Sequence, residues 1–344
     1  MSKRYIVVIT LLLIGIMIMF CLNLCVGAVD IPFSAFVDIL KGGKVEDDSW
    51  CFIVLESRLP QAVTALLCGG VLAINGLILQ TVFSNPLAGP DVFGINGGAA
   101  LGVALVMLFL GGTFSFYNFS FTGFLAILLA AFLGAMFVTI LISALSHLVH
   151  SNTMLLIVGI MVGYMSSSIV SLFNFFSSSN EVKNYMIWGL GDFGGVSSEM
   201  LLPFSVLCLL GVFISLLFIK PLNILSLGTL YAESLGVNTT KMRTLLLILT
   251  GLLTSITTSF CGPILFLGLA VPHIAKLILK SEHQPKLFPV TLLSGSFIAL
   301  LCNLLCSLPR EGGMLPLNVV TPIVGAPVIT VSYTHLTLPT NREV

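Results

Sequence analysis

Of the chain's 344 residues, 57% are hydrophobic and 8% are charged, whereas an average soluble domain carries about 25% charged residues. Fourteen basic residues balance fourteen acidic ones, and the chain lacks the basic stripe that is typical of nucleic-acid binding. The composition therefore excludes a soluble protein and a nucleic-acid partner, and it predicts one integral membrane domain.

The chain begins with Lys3 and Arg4, followed by an apolar run from Tyr5 to about Val29. Secretory signal peptides start in a similar way, but this apolar core is too long for one and lacks an A-x-A cleavage site. We therefore interpret the run as a retained first transmembrane helix.

Apolar stretches continue along the rest of the chain, separated by Pro, Gly, Asn or charged residues. A helix needs about 20 apolar residues to span the hydrocarbon layer. The candidates are 5–29, 61–83, 92–112, 121–146, 153–176, 199–219, 242–261, 262–279, 287–308 and 316–331. The sequence thus predicts an all-α integral membrane fold with about ten transmembrane helices.

The predicted transmembrane domain covers 1–331, and the segment 332–344 differs from it. That segment reads SYTHLTLPTNREV, which is polar and has no apolar continuation for the tenth helix. We interpret it as a non-native scar that replaces the true C-terminus, and we exclude it from the fold prediction.

Basic residues in short loops favour the cytoplasmic side of a membrane. With the N-terminus in the cytoplasm, the ten-helix arrangement places more basic residues inside than outside. The inner set is Lys3, Arg4, Lys220, Lys241, Arg243, Lys276, Lys280 and Lys286, and the outer set is Lys41, Lys44, Arg58, Lys183 and Arg310. We predict a multi-pass protein of the cell membrane with a cytoplasmic N-terminus.

Every Asp and Glu falls in a predicted loop or at a helix boundary, whereas proton relays usually place a carboxylate at mid-depth in the membrane. A proton-coupled carrier is therefore disfavoured. No G-x-x-x-x-G-K-[ST] phosphate-binding loop occurs, so ATP, if used, is bound by another subunit. We expect no cofactor or metal on this chain, and we interpret His147 and His150 as interfacial anchors.

Small residues recur at spacings that let helix backbones approach closely in lipid. Examples are Gly98 with Gly102, and the group Gly69, Gly70, Ala73 and Gly76. We interpret these positions as packing sites between helices.

The first of three polar passages starts at Arg58-Leu59-Pro60, continues through Asn75 and Gln80, and ends in the glycine- and proline-rich run 85–98. Two prolines so close together cannot lie in a regular helix. Taken alone, the run 85–98 is interpreted as a tight turn between two transmembrane helices.

The second passage, LGTLYAESLGV at 227–237, lies in the longest predicted cytoplasmic loop. Its apolar positions broadly follow helical spacing, and a glycine follows them. Periodicity alone leaves two alternatives open: a short helix that a partner protein contacts, or a helix that rests on lipid headgroups.

The third passage runs from Cys261 to Lys276 and contains Gly262-Pro263, Gly268 and the pair Pro272-His273. Pro272 frees a backbone carbonyl that neighbouring helices must satisfy. We interpret His273 as a packing or hydrogen-bonding residue.

Together these passages resemble the FecCD family of ABC importer permeases, which includes iron-siderophore, haem and cobalamin permeases. The resemblance covers about 5 to 331. It rests on RLP, LAINGLILQ, NPLAGPDVFGINGGA, LGTLYAESLGV, GPILFLGLAVPHIAK and the GAP at 325–327.

The resemblance implies a type II ABC importer permease fold of ten helices that imports an iron-siderophore or related metal chelate. It also implies partners: a second permease in a homodimer or heterodimer, two cytoplasmic ATPase subunits that use ATP, and an extracytoplasmic substrate-binding protein.

The resemblance also implies functional sites, which follow the matched motifs. The ATPase-coupling segment would include Gly228, Ala232, Glu233, Leu235 and Gly236. Binding-protein docking would use Arg58 and Arg310. The translocation path and gate would include Asn75, Gln80, Asn85, Pro86, Phe173, Phe176, Gly268, Pro272 and His273.

The chain departs from the family pattern at several positions. Family members usually carry a second arginine where Gln61 stands and an acid where Asn303 stands. They usually carry Glu where Met314 stands and Gly where Asn318 stands, and they often carry Arg where Lys276 stands. These departures weaken any transfer of docking detail from the family.

Two alternatives to iron-siderophore import remain open from the sequence. Within the family, the cargo could be haem or cobalamin. In a different class, a secondary carrier could couple to sodium through unwound backbone carbonyls.

Overall fold

The computed structural model describes residues 3–27, 29, 31–32, 38, 48–110, 113–116, 119–149, 151–308 and 314–337. Most of these residues are helical. One short antiparallel hairpin is also present, in which β1 (Thr113–Phe116) pairs with β2 (Phe119–Thr122). The predicted all-α fold class is therefore confirmed, with this hairpin as a small addition.

The helices are numbered in chain order. They are α1 (Lys3–Cys25), α2 (Asp48–Phe52), α3 (Leu59–Val82), α4 (Ile95–Ala104), α5 (Phe124–Leu148), α6 (Asn152–Phe176), α7 (Ser179–Gly189), α8 (Ser198–Leu217), α9 (Ile219–Leu225), α10 (Thr229–Ser234), α11 (Thr239–Cys261), α12 (Leu267–Leu279), α13 (Gln284–Cys306) and α14 (Leu317–Thr337). A π-helical turn at Ile53–Arg58 leads into α3, and another at Leu105–Phe109 extends α4.

Seven helices in the described part of the chain are long and apolar enough to cross a membrane. They are α1, α5, α6, α8, α11, α13 and the continuous helix Ser49–Val82 that contains α3. Three shorter apolar helices are Ile95–Phe109, Leu267–Leu279 and Leu317–Pro327. Each of the ten predicted stretches therefore contains an apolar helix, while the count of ten membrane crossings stays a prediction.

Polar caps fix where several helices begin. The Ser151 hydroxyl accepts a hydrogen bond from the Met154 N–H at the start of α6, and the Asn238 side chain accepts one from the Lys241 N–H at the start of α11. Such caps satisfy backbone donors that have no partner within the helix. They explain why both helices start within a few residues of the predicted positions.

Two predicted boundaries were wrong for a local reason. The stretch 262–279 becomes helical only at Leu267, because Gly262 and Phe266 have positive φ angles of 72° and 69°, which a right-handed helix cannot contain. The stretch 121–146 becomes helical at Phe124, because Phe119–Thr122 lies in a strand and Gly123 has φ of 60°.

The end of the chain also differs from the predicted boundary at 331. Helix α14 continues to Thr337, so the polar segment begins as helix. The remaining residues 338–344 lie outside the described ranges. The interpretation of 332–344 as a non-native scar stays a prediction.

The chain divides into two units. The first comprises Met1–Ile74, Asp192–Leu209 and Leu265–Val344. In this unit α3 and α13 meet at Gly69 and Gly295, where a Cβ added to Gly69 would lie 2.4 Å from the Gly295 carbonyl oxygen. The Ser296 hydroxyl donates to the Leu66 carbonyl 2.8 Å away. Small residues thus let these two backbones touch, as the glycine spacing predicts.

The second unit comprises Asn75–Gly191 and Leu210–Ile264. Helices α4 and α5 approach as closely here, because a Cβ on Gly102 would lie 2.2 Å from the Ala130 carbonyl oxygen. Gly251 of α11 packs closely against the side chain of Thr139 in α5. The predicted packing role of Gly98 and Gly102 is confirmed.

Candidate coupling and transport sites

The predicted coupling segment forms a short helix between two glycines. Helix α10 is bracketed by Gly228, with φ of 106°, and Gly236, with φ of 83°. Side chains other than glycine rarely adopt such angles. The two glycines therefore allow the chain to turn sharply into and out of α10.

One face of this helix is apolar and exposed. Leu230 is 84% exposed, and Tyr231, Leu235 and Leu227 are more than half exposed. In an isolated permease these apolar side chains stay in contact with water, which is unfavourable in free energy. The exposed face therefore suits contact with another apolar surface, whether a protein or lipid.

The opposite face holds α10 to its own chain. Ala232 is fully buried, and its carbonyl accepts a hydrogen bond of 3.0 Å from the Val237 N–H. The Glu233 carboxylate accepts a hydrogen bond of 2.6 Å from the hydroxyl of Thr239, the first residue of α11. This hydrogen bond connects α10 to the start of α11.

Arg58, predicted to lie on the outer surface for docking, is only 6% exposed. Its guanidinium donates to the carbonyl oxygens of Leu24 and Cys25, at 2.9 and 2.7 Å, and also to that of Val29. The first two are among the last carbonyls of α1, which have no partner within that helix. In this conformation Arg58 caps α1, so docking through it would require a rearrangement and stays a prediction. Arg310 lies outside the described residues.

Gln61 and Asn303 stand where the family usually carries charged residues, and they bond to each other. The Gln61 amide donates to Asn303 Oδ1 at 3.1 Å, and Asn303 Nδ2 donates to Asn23 Oδ1 at 2.7 Å. Asn23 Nδ2 in turn donates to the Leu300 carbonyl at 3.0 Å. An uncharged network therefore joins α1, α3 and α13.

Replacing Asn303 with Leu is expected to destabilise the protein by about 1–3 kcal/mol, because the buried amide of Asn23 and the partly buried amide of Gln61 each lose a partner. The Asn23→Leu, Asn303→Leu double variant is expected to lose less than the sum of the two single variants, since contacting residues are not additive. Thermal unfolding in detergent measures all three. Additive losses would contradict the network.

Asn75 and Gln80, two of the predicted path residues, are buried on α3. Asn75 Nδ2 donates to the Thr254 hydroxyl of α11 at 3.1 Å. The α11 side of this pair was not predicted from the sequence. Its signal was the hydroxyl-rich run Thr254 to Ser259, in which all six residues are buried, including the single apolar residue Ile256.

Asn85 and Pro86 lie in a chain of turns after α3 rather than in a helix, as predicted. The Asn85 carboxamide oxygen accepts a hydrogen bond of 2.9 Å from the Leu87 N–H, which forms the turn that Asn commonly makes with its own backbone. Pro86 is exposed. These contacts agree with the turn interpretation, and a role in the path stays a prediction.

The two predicted gate phenylalanines have different surroundings. The Phe173 ring packs 5.7 Å from that of Phe109, beside a buried cluster that contains Leu108 and Val170. Phe176 is exposed and contacts only Phe175 among the described ring pairs. Phe173 is therefore a packing residue here, while Phe176 is available to a partner or to lipid.

Helix α7 follows these phenylalanines and begins with a capping box. The backbone N–H and the hydroxyl of Ser178 both donate to the Glu181 carboxylate, at 2.9 and 2.8 Å. These bonds lower the pKa of Glu181 below its ordinary value. The cap therefore stabilises α7 at neutral pH and is lost as the pH falls through that lowered pKa.

Gly268, Pro272 and His273 all lie buried in α12. The helix starts after a break, where the Leu265 N–H donates to the Asn318 side chain at 3.0 Å. Asn318 is one of the departures from the family pattern, and here it satisfies a backbone donor of the broken segment. No group of three or more metal-ligating side chains occurs among the described residues.

Comparisons with known proteins agree with this arrangement of helices. A family model described as the FecCD transport family matches residues 13–334. The vitamin B12 import system permease protein BtuC of Klebsiella pneumoniae is 31% identical over 328 residues, covering 95% of this chain and 92% of the relative. BtuC of Citrobacter koseri is 32% identical over 275 residues, or 80% of each chain.

Solved structures with a similar fold also exist. A structure described as an inward-facing conformation of a metal-chelate type ABC transporter superposes with a TM-score of 0.80 at 27% identity, covering 94% of this chain and 97% of that one. PsaBC from Streptococcus pneumoniae superposes with a TM-score of 0.54 at 18% identity, covering 88% and 95%, which indicates a shared fold alone.

Proposed function

The chain belongs to the FecCD transport family and is a permease subunit of an ATP-binding-cassette importer, and we propose that its cargo is a metal chelate. The relatives are named for vitamin B12 and the similar structure for metal chelates. Each of these cargoes is a metal ion wrapped in an organic ligand. Ferric siderophores, haem and cobalamin are the members of this class that the family carries.

The observation that carries the coupling role is the exposed apolar face of α10. A membrane protein that is moved by a soluble ATPase needs a rigid contact outside the membrane. Leu230 and Leu235 offer an apolar surface, and the buried Ala232 and the Glu233 bond hold that surface to the chain. The coupling segment thus joins a partner-accessible face to the start of α11.

The proposed assembly has two permeases, which are copies of this chain or one copy and a homologue. Two ATPase subunits bind α10 in the cytoplasm, and a binding protein delivers cargo on the opposite side. The N-terminus of α1 then lies in the cytoplasm. The bonds from Arg4 to the Ile278 carbonyl support this by placing the N-terminal end of α1 beside the lysine-rich end of α12.

Uptake into proteoliposomes tests the proposal. Vesicles that hold this chain, its ATPase and its binding protein would be given a radiolabelled ferric siderophore and, separately, radiolabelled vitamin B12. We expect one of the two cargoes to accumulate, and we expect this accumulation to require ATP on the side of the membrane where the ATPase is bound. Uptake without ATP that follows a sodium gradient would overturn the proposal and favour the secondary-carrier alternative.

A further inference from the structure

Three helix ends meet at one arginine near the coupling segment. Arg243, in the first turns of α11, donates a hydrogen bond to Oδ1 of Asn152, the first residue of α6. Asn152 Nδ2 donates to the carbonyl of Phe83 at 3.2 Å, directly after α3. The Arg243 guanidinium also lies 5.7 Å from the centre of the Phe83 ring. The Arg243 side chain, at the start of α11, thus contacts both the start of α6 and the residue that follows α3.

Helix stability does not explain this arginine. The N-terminal end of a helix carries a partial positive charge, so a cation near this end gains no stabilisation from the helix dipole. Arg243 is also half-buried, and burying a charge is costly unless it is hydrogen-bonded. The hydrogen bond to Asn152 and the cation–π contact with Phe83 offset this cost. We therefore interpret Arg243 as a residue that connects helices rather than one that stabilises α11.

The contacts of Arg243 lie one helical turn from the hydrogen bond between α10 and α11. Thr239, which donates to Glu233 of α10, precedes Arg243 by four residues, so the two side chains lie on the same face of α11. A cavity of about 190 Å³ is lined by Glu233, Thr239, Arg243 and Val82. The space between α10 and the start of α11 is therefore not fully packed.

We propose that Arg243 is a positioning residue that passes displacement of the coupling segment from α11 to α3 and α6. The inference rests on the proposed importer function. When α10 moves, Glu233 carries Thr239 and the start of α11 with it. The Arg243 bonds to Asn152 and to the Phe83 ring then move the ends of α6 and α3 together, so the three helices reorient as one set.

The test is the number of cargo molecules imported per ATP hydrolysed in the reconstituted importer. Arg243→Ala is expected to leave assembly with the ATPase intact and to lower this ratio at least tenfold, because hydrolysis continues while the helices no longer move together. Asn152→Ala removes the hydrogen bonds that link α6 to Arg243 and to Phe83 without deleting a charge. It is expected to give the same loss, although the contact of Arg243 with the Phe83 ring stays. The double variant is expected to lose no more than either single variant.

Lys241→Ala is the matched control, since Lys241 is an exposed cation on the same turn, and its ratio is expected to stay unchanged. The inference would be overturned if the losses of the two single variants multiplied in the double variant. It would also be overturned if uptake and ATP hydrolysis by an assembled complex fell equally, which would leave Arg243 with a merely structural role. Unchanged ratios in all variants would overturn it as well. Absence of ATP-dependent uptake by the wild-type importer would instead overturn the proposed function itself.

Discussion

Leu230→Asp is expected to abolish ATP-driven uptake while leaving the permease folded. Leu230 is 84% exposed, and substitutions at such positions usually change stability by less than about 0.5 kcal/mol. If a partner ATPase buries this side chain, its apolar contact is worth about 1.5–3 kcal/mol, or roughly a 10- to 150-fold change in affinity. A carboxylate buried in its place adds a further desolvation cost.

Co-purification of the ATPase with the detergent-solubilised permease measures this effect, and thermal unfolding of the permease alone checks the fold. Leu230→Met is the matched control, because it keeps an apolar side chain of similar volume, and it is expected to retain both uptake and co-purification. If Leu230→Asp also retains both, α10 does not bind the ATPase through this residue. The alternative that α10 rests on lipid headgroups would then be favoured.

The helices were predicted well because the length of an apolar stretch and the residues that interrupt it are local features of the sequence. The starts of α6 and α11 were predicted within a few residues, where Ser151 and Asn238 provide caps. The start of α12 was missed because Phe266 adopts a left-handed conformation that its residue type does not indicate. Tertiary contacts, such as the bond from Leu265 to Asn318, support that break.

The site was predictable only where it is contiguous in sequence. The short helix at 229–234 could be predicted from its apolar spacing and the glycine that follows it, and its coupling role, which only the family resemblance implies, stays a prediction. Paired residues far apart in the chain could not be predicted. Asn303 bonds to Asn23, 280 positions away, and Arg243 to Asn152, 91 positions away. A pattern within one helix carries no information about such partners, so Arg58 was expected at the surface although it caps α1.

Gly134→Ala is expected to destabilise the protein strongly, whereas the same substitution at Gly163 is expected to be neutral or slightly stabilising. A Cβ on Gly134 would lie 2.2 Å from the Gly98 carbonyl oxygen and 3.2 Å from the Gly102 Cα, so α4 and α5 would have to separate. Overpacking of this kind costs about 1–3 kcal/mol. A Cβ on Gly163 would meet nothing closer than the Gly94 Cα at 3.8 Å, an ordinary contact distance.

Because both glycines lie inside membrane-spanning helices, the gain in helix propensity from Gly to Ala, up to about 1 kcal/mol, applies to both and cancels in their comparison. The difference between the two thermal unfolding midpoints therefore reports the backbone contact of α4 with α5. Equal midpoints for the two variants would mean that α5 can move away from α4 at little cost. In that case the small residues at 98, 102 and 134 would not determine the packing of these helices, and the close approach would be one of several arrangements of similar free energy.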